Sequence, residues 1–137
     1  MFKYTVKYED YNGEKREKDI YFNISMPEML KLQNSVPGGY GQYLDTIAKE
    51  KDPMKIWNTF ETLIDQAYGE KSPDGERFIK VDSEGHRLVD TFKETPVFEA
   101  FMFEILSNEK LAADMVNQMI PSKALKQLEN GGAAQAS

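Results

Sequence analysis

The chain has no cysteine and only one histidine in 137 residues. Without thiols there is no disulfide, no thiolate nucleophile and no cysteine metal ligand. A lone imidazole needs partners to serve as a general base or metal ligand. Glu84 and Asp90 are near His86 in sequence, at i−2 and i+4, and Asp90 shares its face if this stretch is helical. The favoured reading is a solvated helix histidine. No apolar run approaches the ~18 residues of a membrane span. The opening MFKYTVKYED has no apolar core of a leader, so no signal peptide is expected. EF-hand spacing and a Gly-x-Ser-x-Gly elbow are missing. The glycine-rich Pro37-Gly38-Gly39-Tyr40-Gly41 follows a helical pattern and no Lys-Ser/Thr comes after it. It reads as a helix–helix linker, not a phosphate cradle. No enzyme activity, cofactor or metal is expected.

The formal net charge is −6, from 23 acidic and 17 basic residues. That balance disfavours nucleic acid and anionic membrane as partners. The acidic residues are scattered, as on solvated helix faces, and no pair of carboxylates marks a hydrolase. With basic residues interspersed, an acidic DNA mimic is the least favoured reading of the charge.

What is present is enough apolar content for one core. Hydrophobic residues make up 40% of the chain, which suits a single domain. Phe2, Tyr4, Val6 and Tyr8 alternate with polar residues, the pattern of a half-buried strand. A second strand runs from Arg16 to Ile24, with Ile20, Phe22 and Ile24 on one face. A two-residue Asn-Gly turn would pair Tyr4 with Tyr21 and put Ile20 and Phe22 on the wrong face. A three-residue loop, Tyr11-Asn12-Gly13, pairs Phe2 with Phe22 and Tyr4 with Ile20. Asp10 and Gly13 fit a type I turn with a bulge. Such a hairpin is marginal alone and must pack on helices or on another copy.

Helices follow. Ser25-Met26-Pro27-Glu28 is a capping box, opening a helix to about Asn34. A second helix is predicted over about 40–51. Asp52-Pro53 opens a third, with Ile56, Trp57, Phe60, Leu63, Ile64 and Ala67 at helical spacing, closed by Tyr68-Gly69-Glu70-Lys71. Ser72-Pro73-Asp74-Gly75 is a turn, and Phe78-Ile79-Lys80 returns to apolar structure. Asp82 or Ser83 caps a helix carrying Leu88, Val89 and Phe92. Thr95-Pro96 starts another, and Ser107 or Asn108 the next, which Pro121 stops. Residues 122–128 form a short last helix, and 130–137 a flexible tail. The fold class is α+β, mostly α: a hairpin over 2–24, then about five to seven short helices over 25–129, in one domain.

One feature of the helical part bears on binding. Phe98, Phe101, Met102 and Phe103 wrap more than one helix face. Met115 and Met119 fall on one face of the next helix. Flexible methionine surfaces suit variable apolar partners. The alternatives are a helix buried all round, or an interface between copies. The candidate binding residues are the surface-exposed subset of Phe101, Phe103, Met115 and Met119, with Tyr11 and the hairpin as a second site.

Several blocks resemble the small tail assembly chaperones of long-tailed bacteriophages and prophages. They are Tyr-Thr-Val-Lys-Tyr and Asp-Tyr-Asn-Gly early on, then Tyr-Phe-Asn-Ile-Ser before the first helix and the Pro-Gly-Gly. The central YGEKSPDGERFIK over 68–80 is the most specific. Phe101-Met102-Phe103-Glu104 and the closing Met-Ile-Pro complete the set, and the last eight residues are not part of it. The resemblance implies a protein that coats the long, helical, aggregation-prone tape measure protein in the host cytoplasm, which calls for an apolar groove that takes amphipathic helices. It would keep that client soluble until tail tube subunits polymerise around it, and be absent from the mature virion. The tail tube protein and further copies of the chain are the other implied partners. Family members often gain a second domain by programmed frameshifting, and Gly131 to Ser137 would suit such a junction. The competing reading is a structural tail or head–tail connector component that forms rings and pairs hairpin edges.

Overall fold

The computed structural model describes residues 1–35, 38–39, 49 and 51–120. Strands β1 (Phe2–Glu9) and β2 (Lys15–Phe22) form the hairpin. Its register sets Phe2 against Phe22 and Tyr4 against Ile20, as the alternation requires. The loop is the three-residue one. Gly13 sits at φ 81, and its N–H donates to the Asp10 carbonyl at 3.0 Å. Asp10 Oδ1 accepts from the N–H groups of Asn12 and Glu14, each at 2.9 Å. The Glu14 N–H first, then Asn12 and the Arg16 guanidinium, outweigh desolvation and hold the Asp10 carboxyl below the usual range.

Helix α1 covers Met26–Ser35. Both halves of its capping box form: the Ser25 N–H donates to Glu28 Oε1 at 2.9 Å, and the Glu28 N–H to Ser25 Oγ at 3.3 Å. Helix α2 covers Pro53–Ala67, with the Asp52 side chain accepting from the Met54 N–H at 3.0 Å. It buries Phe60, Leu63, Ile64 and Ala67.

The segment after α2 corrects the sequence reading. Tyr68 caps the helix as expected, but Tyr68-Gly69-Glu70-Lys71 is also strand β3. It pairs with β2 through Tyr21–Gly69 and Phe22–Tyr68. Strand β4 (Phe78–Ile79) pairs with β3 on its other side. The sheet therefore has four antiparallel strands in the order β1-β2-β3-β4. Gly69 is there for space. A Cβ would lie 2.6 Å from the Ile79 carbonyl oxygen and 2.6 Å from the Phe78 ring. The Ser72–Gly75 turn forms as expected: Gly75, at φ 76, donates to the Ser72 carbonyl at 2.9 Å.

Asp82 does not cap a helix, and neither does Ser83. Asp82 Oδ1 accepts from the N–H groups of Glu84 and His86 at 2.9 and 2.8 Å. The Asp82 N–H donates to the His86 carbonyl, and Gly85 donates to Asp82. This repeats the Asp10–Glu14 loop, and a Val81–Arg87 bridge flanks it. Helix α3 starts only at Leu88 and ends at Phe92, with no side-chain cap. Helices α4 (Pro96–Ser107) and α5 (Glu109–Met119) follow, and Asn108 caps α5 through the Leu111 N–H. The predicted helix over 40–51, the last helix over 122–128 and the tail over 130–137 lie outside the described residues.

The architecture is α+β and mostly helical. Helices α4 and α5 pack under β1, α3 packs on β3, and α2 meets α4. One buried cluster runs from Phe2 to Ile120. Phe22 is its hub, with ring centroids 5.3 Å from Phe101, 5.8 Å from Tyr68 and 6.3 Å from both Phe2 and Phe92.

The last four carbonyls of a helix lack partners inside it. In α2 all four find one elsewhere. Ile64 accepts from the Tyr68 N–H. Asp65 accepts from Arg87 Nη2 at 2.6 Å and Gln66 from Lys80 Nζ at 2.7 Å. Ala67 accepts from the Asn23 N–H at 2.9 Å. Two of these donors are cations at the negative end of the helix dipole, and Lys93 pairs with the Asp65 carboxylate at 2.5 Å. Lys80 also reaches Glu28 at 2.8 and 2.9 Å. That contact ties α1 to the end of α2. Burial pushes the Glu28 carboxyl up, but Lys80 and Ser25 outweigh it and the result is a lowered value.

Candidate functional site

A binding protein of this kind must offer side chains that solvent and a partner can reach. Among the five candidates, Phe101, Met115 and Met119 are 0% exposed. They are core. Phe101 stacks on Phe22, while Leu111, Met115 and Met119 form the buried face of α5. Phe103 is 60% and Tyr11 81% exposed. The exposed subset thus reduces to these two. The structure does not bring them together on one element: Phe103 lies on α4 and Tyr11 in the hairpin loop.

Helix geometry explains the split. Successive residues turn by about 100°, so Phe101 and Phe103 lie on nearly opposite sides of α4. Phe98, Phe101, Met102 and Ile105 take the buried side. Beside Phe103, Glu104 faces Tyr4. Burial first, then the hydrogen bond to Glu104 and its charge, push the Tyr4 hydroxyl above its ordinary value. Glu104 Oε2 is buried with no hydrogen-bond partner among the described residues.

The other large exposed apolar residues are Met1, Leu30, Met54 and Val81. Each stands alone on its own segment. Among the described residues, no helix carries a stripe of exposed large apolar side chains. His86 is solvated, as expected, but on a hairpin loop and not on a helix. Its Nδ1 lies 3.4 Å from Asp82 and 3.6 Å from Glu84, and Asp90 is not among its contacts. Among the described residues, no group of three or more acidic residues and histidine could hold a metal ion. No described helix is long and apolar enough to cross a membrane.

The hairpin, the second candidate site beside Tyr11, has a geometry of its own. Its pairing with β3 covers only Tyr21 and Phe22. Beyond that root the two strands run on as an arm with charged side chains. Lys3 reaches diagonally to Asp19 at 3.7 Å, and Lys7 faces Glu17 directly across the ladder at 3.9 Å. Thr5 Oγ1 donates to Asp19 Oδ1 at 2.6 Å. The strict alternation in β1 was the signal for this solvent face.

Comparison with known families gives one match. A family described as phage tail assembly chaperone matches residues 1–136. It extends past Pro121, where the quoted blocks stop, and into the last eight residues. No curated protein and no solved structure matches the chain.

Proposed function

Since the chain belongs to the phage tail assembly chaperone family, we propose that it binds the tape measure protein and keeps it soluble while the tail tube is assembled. The observation that carries this reading is the family match over nearly the whole chain. The role is non-enzymatic: the chain holds a client and releases it, with no bond made or broken. It acts in the host cytoplasm and is left out of the mature virion. Tail tube subunits displace it, and further copies of the chain share the load along a long client.

Two features support the reading physically. The net charge of −6 keeps a loaded complex soluble. Phe103 and Tyr11 expose aromatic surface that a partner can reach. Weak contacts of this kind gain strength when many copies act on one client.

The test is co-purification from cells making both proteins. The expected result is co-elution with many copies of this chain per tape measure protein. Elution of this chain as a closed ring, with the tape measure protein absent, would favour a structural connector instead.

A further inference from the structure

Among the described residues, no strand pairs with the outer edge of β1. The Asp10 N–H to Glu14 carbonyl bond closes the hairpin loop. In an antiparallel pair, hydrogen-bonded positions recur every second residue. Tyr8–Arg16, Val6–Lys18 and Tyr4–Ile20 therefore exchange backbone bonds. The bond from the Asn23 N–H to Ala67 fits the same phase, with odd residues of β2 turned towards β3. On β1, the odd residues Lys3, Thr5, Lys7 and Glu9 turn their N–H and C=O groups away from the sheet. All four are exposed, and among the described residues none of these backbone groups has a partner. The side chains of the same residues form the solvent face. A strand laid against this edge meets free backbone groups and the two ammonium groups of Lys3 and Lys7 together.

We propose that this edge takes up an extended segment of the client as a fifth strand. The segment carries carboxylates four residues apart, opposite Lys3 and Lys7, and apolar side chains between them. Those apolar side chains fall on the inner face and continue the row of Phe2, Tyr4, Val6 and Tyr8, which rests on α4 and α5. Main-chain bonds supply affinity and the alternate side chains supply selectivity.

Charge favours a client segment over a second copy. Residues 1–22 hold five basic and five acidic side chains, so the whole −6 lies in the rest of the chain. Edge-to-edge pairing of two copies would bring two acidic bodies side by side. An extended client segment brings no such body. The existing partners of Lys3 and Lys7 are 3.7 and 3.9 Å away and solvated, so both ammoniums retain donors for an incoming carboxylate.

This proposal rests on the chaperone reading for the source of the segment, and the test separates the two. The probe is a blocked decapeptide centred on Glu-Val-Thr-Val-Glu, with a twin bearing lysine in place of both glutamates. Residue-resolved amide exchange is followed on the full chain. The acidic peptide should slow exchange at Lys3, Thr5 and Lys7 by about 10-fold or more. Lys3→Glu with Lys7→Glu should weaken it about 10-fold and transfer preference to the lysine twin. Thr5→Pro removes one outward N–H and leaves the β1–β2 ladder intact, so it should also weaken binding. If that variant fails to fold, the surface charge pair carries the test. Equal binding of both peptides by the wild type overturns the proposal, as does unchanged exchange at the three amides. If the charge-reversed chain still solubilises the tape measure protein fully, the edge proposal fails and the chaperone reading stands. If the wild type leaves that client insoluble yet the acidic peptide orders these amides, the chaperone reading fails and the edge remains a peptide site.

Discussion

The two halves of the hairpin share a register but not a role. At the root, Phe2, Ile20 and Phe22 are buried, and Phe22 touches four other aromatic rings. At the tip, the inner-face positions of β2 become Lys18 and Arg16, which are exposed. The core therefore stops at the Val6 and Ile20 level, while hydrogen bonding continues to Glu9 and Lys15. Backbone pairing needs only alternation; burial needs apolar residues on both strands. The inner face of the root is therefore part of the core, and the exposed Lys18 and Arg16 of the tip are not.

Mutations should expose this contrast. The largest effect belongs to the root. Phe22→Ala should cost about 3–5 kcal/mol in denaturant unfolding, a large share of a typical domain's stability. Gly69→Ala should cost about 1–3 kcal/mol, because the new methyl group meets the Ile79 carbonyl and Phe78. A Gly69→Ala protein of unchanged stability would contradict the close β3–β4 approach. Lys80→Ala should cost about 1–2 kcal/mol, since it strips the Gln66 carbonyl and Glu28 of a donor. At the tip, Tyr11→Ala should lie within about 0.5 kcal/mol of wild type. A large loss there would mean that the loop packs on something.

Titration sharpens the same contrast. Burial, and then the charge of Glu70, push the Tyr68 hydroxyl up to about 12. Its neutral form is favoured by the fold, and an unfolded tyrosine ionises near 10. Between those values the unfolded chain loses the proton first, so stability falls as pH rises from about 10 to 12. Tyr68→Phe should flatten that decline. Glu28 works in the opposite sense: its carboxyl is lowered, so its contribution is present at neutral pH and lost as pH falls through the folded value. Glu28→Gln should flatten the acid limb.

Much of the fold was legible because local chemistry and burial agreed. The hairpin register followed from Asp10, Gly13 and the alternation, and both helix caps at Ser25 and Asp52 were read correctly. The two short strands were not legible. Tyr68–Lys71 and Phe78–Ile79 are too short to show alternation, and β3 is defined by pairing with Tyr21 and Phe22 far away in sequence. Asp82 misled because an aspartate that accepts N–H groups in a tight loop has the chemistry of a helix cap. In α4 the apolar residues surround the helix, so the sequence could not say whether Phe101 or Phe103 faces out. Only packing against β1 settles it.

The most direct test of the central claim is the solubility of the tape measure protein of the same genome, co-expressed with this chain. The account predicts that the tape measure protein is soluble with the wild-type chain and insoluble without it. It also predicts that solubility falls with Phe103→Asp, a variant that leaves the core untouched. A tape measure protein that stays insoluble beside abundant, folded wild-type chain would contradict the account.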